Sequence, residues 1–250
     1  MRLSPPIVAL LISAGLALAL PATAGTSALT PDQAKAVDQM IHDYLMNNPK
    51  VLAEALQHAD ETAKAAEAET AKALILSHKE DLERDPTSTV MGNPSGDVTI
   101  VEFFDYNCPY CKSSAPAVEQ LLESDKRVRL VLKDYPVLGQ NSVYAARIAL
   151  VAAKHGKYAD YYKATFAQGQ KPTLDSSLAV AKSLGLDNAL VRKEMESSDI
   201  DAVLKRNYDL GRLLDVEGTP TFIVGATTVP GAATADQLET LVAAARKGQS

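Results

Sequence analysis

Two cysteines are the residues of this chain that most directly suggest chemistry. Cys108 and Cys111 lie in the segment FFDYNCPYCKSSAP, residues 103–116, and the 250-residue sequence contains no other cysteine. A pair with this spacing can form a structural disulfide, supply two ligands to a metal or act as a redox-active dithiol. The surrounding sequence is needed to decide between these uses.

A structural disulfide and a zinc site both fit this pair poorly. A disulfide stabilises a fold mainly by closing a loop of the unfolded chain, and the loop between these cysteines is very short. Zinc usually takes four ligands, whereas His42, His58 and His78 belong to the N-terminal segment and His155 is distant in sequence. We therefore assign no metal ligand, although an intermolecular or Cu(I)-type site of two thiolates stays open.

The position of the pair favours a redox-active dithiol. Residues 98–104, VTIVEFF, predict a buried strand, and the stretch from Pro109 to Leu122 predicts a helix. Cys108 then lies at the N-cap or in the first turn, where unpaired N–H groups and the helix dipole favour a thiolate. Cys111 lies on the same face and can attack a mixed disulfide at Cys108.

The remaining patterns predict an α/β domain that contains a helical insertion. Only helical patterns occupy residues 142–215, between one group of strands and another. A short strand followed by a turn is predicted within residues 87–97, further strands at 127–133, 221–224 and 227–229, and a last helix at 235–246. This order predicts a β-α-β/β-β-α core with one mixed sheet.

The N-terminal segment predicts export. Arg2 precedes an apolar stretch from Ile7 to Leu20, and Ala22–Ala24 fits a cleavage site, so the mature chain is expected to start at Gly25. The stretch is shorter than the roughly 20 residues of a transmembrane helix, so we expect no membrane insertion after cleavage; an N-terminal anchor is the alternative. The formal net charge of −6 argues against a nucleic-acid or anionic-membrane partner.

Residues 31–84 predict two helices that precede the α/β domain. The first starts at Pro31 with Thr30 as N-cap, and the second is predicted to run from about Pro49 to Arg84. The second helix carries a heptad seam of mostly small residues: Leu52, Leu56, Ala59, Ala63, Ala66, Thr70 and Ala73. Because such a helix cannot bury a stripe against itself, we expect self-association through residues 31–84; a solvated, alanine-rich helix is the alternative.

The segment VEFFDYNCPYC resembles the active-site segment of the DsbA-like branch of the thioredoxin superfamily. The resemblance covers about residues 86–247 and includes EGTPTFIVG, where Thr219-Pro220 matches the family's cis-proline element. It implies a thioredoxin fold with an inserted all-helical subdomain, and a thiol-disulfide oxidoreductase that needs no cofactor beyond the Cys108–Cys111 dithiol. The predicted domains are a signal peptide (1–24), an N-terminal helical oligomerisation region and linker (25–85), and a DsbA-like domain (86–250) with its insertion at about 140–215.

The resemblance also implies roles for residues near the dithiol. The residues expected to contact the client are Pro109, Tyr110, Thr219 and Pro220. The cis bond expected before Pro220 leaves the backbone of Thr219 free to pair with an extended substrate.

Two charged residues match the family by their placement on the strands. Glu102 is expected to take or relay the proton of Cys111; a tolerated buried carboxylate is the alternative. Lys133 ends the next strand and is expected near Glu102 in the proton relay; a solvated lysine is the alternative.

Two departures from the strongly oxidising DsbA proteins, and one further resemblance, predict whether the pair oxidises its clients or isomerises and reduces them. Strongly oxidising DsbA proteins have histidine where this chain has Tyr110, which adds no positive charge and predicts a milder oxidant. Thr219 resembles the isomerase and reductase members. The segment MIHDYLMNNPKVLAEAL resembles the N-terminal region of the suppressor-of-copper-sensitivity C (ScsC) proteins, some of which are trimers.

These features lead to an expectation about activity and partners. We expect a periplasmic, homotrimeric disulfide isomerase or reductase that acts on unfolded or misfolded disulfide-containing proteins and is kept reduced by a membrane thiol reductase. The alternatives are a monomeric dithiol oxidase that introduces disulfides and a Cu(I)-binding copper-tolerance protein.

Overall fold

A computed structural model of the protein describes residues 29–248, so the predicted signal peptide lies outside the described residues. The chain divides into two compact units, one up to Glu61 and one from Thr62 onward. Over residues 29–248, no helix combines the length and the apolar character needed to cross a membrane.

The first unit contains helix α1 (Pro31–Asn47) and the start of helix α2 (Pro49–Ser77). Thr30 caps α1 as predicted: its hydroxyl accepts from the N–H of Gln33 at 3.3 Å, while the Gln33 side chain accepts from the N–H of Thr30 at 3.0 Å. No side chain of α1 is buried within the described chain. The heptad seam of α2 is likewise exposed.

The helical stretch predicted from about Pro49 to Arg84 ends where expected but is divided at His78, so the prediction of one continuous helix was wrong. Helix α2 ends at Ser77, and a separate short helix, α3 (Lys79–Glu83), follows. The carbonyl groups of Asp81 and Glu83 accept from side chains of a neighbouring strand, and Pro86 has no N–H to continue a helical ladder. These contacts hold α3 against the sheet, and the proline prevents the helical region from continuing beyond Arg84.

The second unit is built on one mixed sheet. Its strands are β1 (Thr89–Gly92), β2 (Val98–Phe104), β3 (Val128–Asp134), β4 (Thr221–Val224) and β5 (Thr227–Pro230), in the order β1-β3-β2-β4-β5. Strands β2 and β3 are parallel, and the other neighbouring pairs are antiparallel. Six of the seven residues of β2 are buried, as expected for a continuous apolar strand covered on both faces.

Helices cover both faces of this sheet and confirm the predicted fold, a thioredoxin fold with a helical insertion. Helix α4 (Pro109–Ser124) follows β2 and α10 (Ala235–Lys247) follows β5. The insertion between β3 and β4 comprises α5 (Gln140–Lys154), α6 (Tyr158–Ala167), α7 (Leu174–Ser183), α8 (Asn188–Glu194) and α9 (Ser198–Leu213). One apolar cluster includes residues of α4, α5, α6 and α10, and a second joins the sheet to α9 and to Ile75 and Leu82.

The core therefore extends farther toward the N-terminus than the predicted domain boundary at residues 85 and 86. Ile75 and Leu82 are 3% and 1% exposed, respectively, and pack with sheet residues such as Val101 and Ile223. The unit that carries the sheet thus includes the end of α2 and all of α3.

Strand directions bring three segments to one edge of the sheet. The parallel strands β2 and β3 both end there, and β4 starts there because it runs antiparallel to β2, with Thr221 opposite Phe103. Residues 105–108, 135–139 and 216–220 are consequently neighbours.

Candidate active site

The two cysteines lie at the start of α4, as predicted. Cys108 is the N-cap residue, with extended backbone angles, and Pro109 occupies the first helical position. Both cysteines are free thiols. Cys108 retains 4% exposure and Cys111 none, whereas Pro109 and Tyr110 are exposed at the surface.

Neighbouring groups lower the pKa of the Cys108 thiol to about 5. The main cause is a hydrogen bond from the Cys111 thiol, and Thr219 and the N–H groups of Cys111 and Tyr110 add to it, while burial acts in the opposite direction. None of these causes is a charged side chain. Cys108 is therefore a thiolate at neutral pH, the form that acts as a nucleophile.

Cys111 has the opposite character. Burial raises the pKa of its thiol strongly, and both the hydrogen bond to Cys108 and the negative charge of Glu102 raise it further. Its sulfur accepts a hydrogen bond from the N–H of Asp105 at 3.5 Å. Cys111 is thus a protonated thiol that must lose a proton before it can attack.

Glu102 is the acid whose charge acts on Cys111. Its side chain is fully buried, and this burial raises the pKa of the carboxyl to about 8. Oε2 accepts from the hydroxyl of Tyr162 at 3.3 Å, whereas Oε1 has no hydrogen-bond partner within the described chain. A carboxyl with a pKa in this range can exchange a proton near neutral pH.

The predicted proline element lies beside the dithiol. The peptide bond between Thr219 and Pro220 is cis. In the neutral form of Cys108, the thiol donates to the carbonyl oxygen of Thr219 at 3.0 Å. The Thr221 hydroxyl donates to the carbonyl of Gly218 at 2.7 Å and ties the start of β4 to the preceding turn.

A family profile described as a DsbA-like thioredoxin domain matches residues 99–243. The chain belongs to this family. Its DsbA-like domain is accordingly that of a thiol-disulfide oxidoreductase. A second profile, described as the N-terminal domain of the copper resistance protein ScsC, matches residues 33–66.

Two solved structures resemble the chain closely. A thioredoxin-like oxidoreductase from Silicibacter pomeroyi DSS-3 is 40% identical, with 67% of this chain and 97% of that chain covered and a TM-score of 0.66. Proteus mirabilis ScsC in a transitional conformation is 28% identical, with 90% of this chain and all of that chain covered and a TM-score of 0.65.

A curated relative contains a similar segment within a longer protein. The Na(+)/H(+) antiporter NhaA 3 of Salinispora tropica is 31% identical over 137 residues, which is 54% of this chain. The chain spans only 21% of the length of that antiporter.

Lys133 does not lie where the proton-relay prediction requires it. In the parallel register, Lys133 pairs with Phe103, whereas Glu102 pairs with Leu132. Because side chains alternate along a strand, Lys133 and Glu102 project from opposite faces of the sheet. The prediction that Lys133 assists Glu102 is therefore wrong.

Lys133 is also not a solvated strand-end lysine. Its side chain is 1% exposed, and its ammonium donates to the carbonyl of Asp81 at 2.8 Å and to the hydroxyl of Ser88 at 2.7 Å. Asp85 lies 3.8 Å away. Burial lowers the pKa of Lys133 to about 8. The residue joins the α3 region to the sheet of the DsbA-like domain.

Asp105 is a site residue that the sequence predictions missed. Its Oδ2 accepts from the N–H groups of Val137 and Leu138, both at 2.9 Å, and its Oδ1 accepts from the N–H of Asn107 at 2.7 Å. This carboxylate thereby joins the segment before Cys108 to the loop after β3. An aspartate at the end of a strand is a recognisable Asx-turn signal, because its side chain can accept from the backbone N–H two residues later.

A second support lies under the proline loop. The Tyr135 hydroxyl donates to the carbonyl of Val216 at 3.4 Å. Gly211 of α9 allows this arrangement because a Cβ atom there would lie 2.7 Å from the Tyr135 ring. The helical insertion of the DsbA-like domain therefore helps to place the segment that leads to Thr219 and Pro220.

A groove opens beside Pro109 on the side of the helical insertion. It has a volume of about 540 Å³ and is lined by Asn107, Pro109, Leu138, Gln140, Asn141, Lys171, Pro172 and Thr173. In the part of the chain that the structure describes, no cluster of three or more histidine, cysteine or acidic residues is arranged to hold a metal.

Proposed function

We propose that this protein is a periplasmic disulfide isomerase or reductase that acts on client proteins through Cys108 and Cys111. The contrast between the two thiols supports Cys108 as the attacking residue: its pKa is about 5, whereas burial holds Cys111 in the protonated form. In such a pair Cys108 attacks the client disulfide first, because Cys111 must lose a proton before it can act as a nucleophile. The isomerase or reductase direction is supported by Tyr110 in place of histidine, by Thr219 before the cis-proline and by the match of residues 33–66 to the ScsC N-terminal domain.

The first step forms a mixed disulfide. The Cys108 thiolate attacks one sulfur of a client disulfide, the client S–S bond breaks, and the second client sulfur leaves as a thiolate. If that or another client thiolate then attacks the mixed disulfide, Cys108 is released unchanged and the client disulfide has been rearranged.

The second route reduces the client. Cys111 passes its proton to the carboxylate of Glu102 and attacks the sulfur of Cys108. The client thiolate leaves, and two electrons have passed from the dithiol to the client, which leaves a Cys108–Cys111 disulfide. A membrane thiol reductase would then return this disulfide to the dithiol.

Exposed groups around Cys108 suit an extended client chain. Tyr110 is 64% exposed and Leu138 is 53% exposed, and the groove beside Pro109 continues this surface. On the other side, backbone groups of Thr219 can pair with the client in the manner of an added strand. Pro109, Tyr110, Thr219 and Pro220 are thus proposed as client contacts.

Self-association through α1 and α2 is part of the proposal. Met40, Ile41, Tyr44 and Met46 of α1 are each more than half exposed, which a single surface helix seldom shows without a partner. The proposed oligomer is a homotrimer, because residues 33–66 match the ScsC N-terminal domain and this segment resembles that of ScsC proteins, some of which are trimers. The location in the periplasm is supported by the leader-like sequence of residues 1–24 and by family membership.

The test compares repair of scrambled ribonuclease with oxidation of a reduced peptide, using the full chain. Wild type should repair ribonuclease faster than it oxidises the peptide, and Cys108→Ser should abolish both activities. Faster peptide oxidation by a monomeric wild type would favour the oxidase alternative and would contradict the proposal.

The contribution of the trimer is tested with surface variants. Ile41→Glu combined with Tyr44→Glu should give monomers with reduced ribonuclease repair. The matched control combines Gln39→Glu with His42→Glu, which places two acidic residues at the same spacing on the same helix and should stay trimeric. A monomeric variant with undiminished repair would show that isomerisation does not need the oligomer.

Cu(I) binding is a second candidate function, favoured by the similarity of residues 33–66 to the N-terminal domain of the copper resistance protein ScsC. It predicts stoichiometric Cu(I) uptake that is lost in Cys108→Ser, together with no ribonuclease repair. Repair activity without Cu(I) uptake would remove this candidate.

A further inference from the structure

Helix α6 places two tyrosine hydroxyls on two buried carboxylates. Tyr158 and Tyr162 are one turn apart on the same helix face. The Tyr158 hydroxyl donates to Oδ2 of Asp134 at 2.7 Å, and the Tyr162 hydroxyl donates to Oε2 of Glu102 at 3.3 Å. Because Asp134 pairs with Phe104 in the sheet, both carboxylates project from the same face toward α6.

The ring of Tyr162 is held firmly. It is fully buried and makes edge-to-face contacts with Phe104, at a centroid distance of 5.4 Å, and with Phe166, at 4.8 Å. Such aromatic pairs have preferred geometries. The direction of the Tyr162 hydroxyl is therefore set by packing.

This hydroxyl is the only hydrogen-bond partner of the Glu102 side chain within the described residues, and Oε1 has none. We propose that Tyr162 is a positioning residue for the resolving step: its hydroxyl holds Oε2 of Glu102, so that Oε1 receives the proton of Cys111. The inference rests on the proposed function, in which Glu102 is the proton acceptor.

The step is a proton transfer coupled to thiol-disulfide exchange. The S–H bond of Cys111 breaks and an O–H bond forms at Oε1 of Glu102, while the Cys111 sulfur bonds to Cys108 and the client thiolate leaves. The Tyr162 hydroxyl keeps its proton throughout. Its hydrogen bond favours the ionised carboxyl and thus lowers the pKa that burial has raised.

Several titratable groups face this part of the core. Cys111 and Glu119 come from α4, Tyr162 comes from α6, and Asp134 lies farther along the same face of the sheet. Strand β4 presents the apolar Phe222 opposite Glu102. Burial raises the pKa of Asp134 to about 7, so a control is needed that alters this second acid alone.

Tyr162→Phe removes the hydroxyl and keeps the ring, and Tyr158→Phe is the matched control one turn away. Reduced full-length protein is mixed with oxidised glutathione in a stopped-flow instrument across pH 5–10. The rate that rises with glutathione concentration reports attack by Cys108, and its limit at high concentration reports resolution by Cys111.

We expect Tyr162→Phe to move the pH profile of the limiting rate upward by about one pH unit and to lower that rate up to about tenfold at pH 7. The reason is that losing a hydrogen bond to the ionised carboxyl raises the pKa of Glu102 by about this amount. The attack rate should be unchanged. Tyr158→Phe should leave both rates within about twofold of wild type, because the Tyr158 hydroxyl contacts Asp134 and not Glu102. Replacing Tyr162 with 3,5-difluorotyrosine, a stronger donor, should move the profile the other way.

Three results would overturn the inference. Equal slowing by both tyrosine variants would indicate a packing effect. If the limiting rate is slowed in Glu102→Gln but normal in Tyr162→Phe, Glu102 remains the proton acceptor and Tyr162 has no positioning role. A normal limiting rate in Glu102→Gln would exclude Glu102 as the acceptor, whereas repair of scrambled ribonuclease would still report on the proposed function independently.

Discussion

The Glu102→Gln substitution is expected to stabilise the reduced protein at neutral pH. Burial raises the pKa of this carboxyl from 4.5 to about 8, so the folded state favours the protonated form. A group of this kind destabilises the fold increasingly as the pH rises above its unfolded pKa, and the effect is complete once the pH exceeds its folded pKa. Glutamine has a similar shape and does not ionise.

The size of the effect follows from the pKa difference. Each unit corresponds to about 1.4 kcal/mol. The titratable carboxyl therefore lowers the free energy of unfolding by about 3 kcal/mol at pH 7, where the folded protein keeps it protonated, and by about 5 kcal/mol above pH 8, where it ionises. The free energy of unfolding of Glu102→Gln should therefore equal that of wild type near pH 4, and exceed it by these amounts at higher pH.

Urea unfolding of both proteins under reducing conditions, from pH 4 to pH 9, measures this difference. Asp134→Asn is the matched control, because the Asp134 carboxyl is equally buried and has a pKa raised to about 7. Its gain should level off about one pH unit earlier, in line with its lower pKa. A difference between Glu102→Gln and wild type that stays constant across this range would refute the reasoning.

Three further outcomes are expected. Alkylation of Cys108 by iodoacetamide should follow a titration with a midpoint near pH 5 and a plateau above it, since the thiolate is the reactive form; a midpoint near the ordinary value of 9 would contradict this. Asp105→Asn should lower the free energy of unfolding by about 3 kcal/mol, measured in urea, because its amide cannot accept from all three N–H groups; an unchanged stability would be inconsistent with the role of Asp105. Gly211→Ala should lower the melting temperature through its clash with Tyr135, with a destabilisation of about 1–3 kcal/mol, and an unchanged melting temperature would argue against it.

Elements with a strong local signal could be predicted from the sequence. The run VTIVEFF became β2 over the predicted residues, and Pro109 begins α4 with Cys108 as its N-cap. In both cases the determinants are local: β-branched and aromatic residues in one, and the fixed backbone angle of proline in the other. The helical block also followed from its apolar periodicity.

Properties that depend on strand register and long-range contacts could not be predicted in this way. The family resemblance predicts Lys133 close to Glu102, on the dithiol side of the sheet. A shift of one residue in register moves a side chain to the opposite face, and the observed register places Lys133 with Phe103. Tyr162 lies 60 positions after Glu102 in the sequence, and no pattern in its own helix distinguishes it from the other tyrosines.

The burial of Lys133 limits where this chain can be divided or recombined. A fragment that starts at Pro86 would lack the Asp81 carbonyl that accepts from the Lys133 ammonium, and it would also lack Ile75 and Leu82 of the core. A gene fusion that joins the DsbA-like domain to a different N-terminal segment should therefore cut near Thr62. The last turns of α2 and all of α3 would then be inherited together with the catalytic domain.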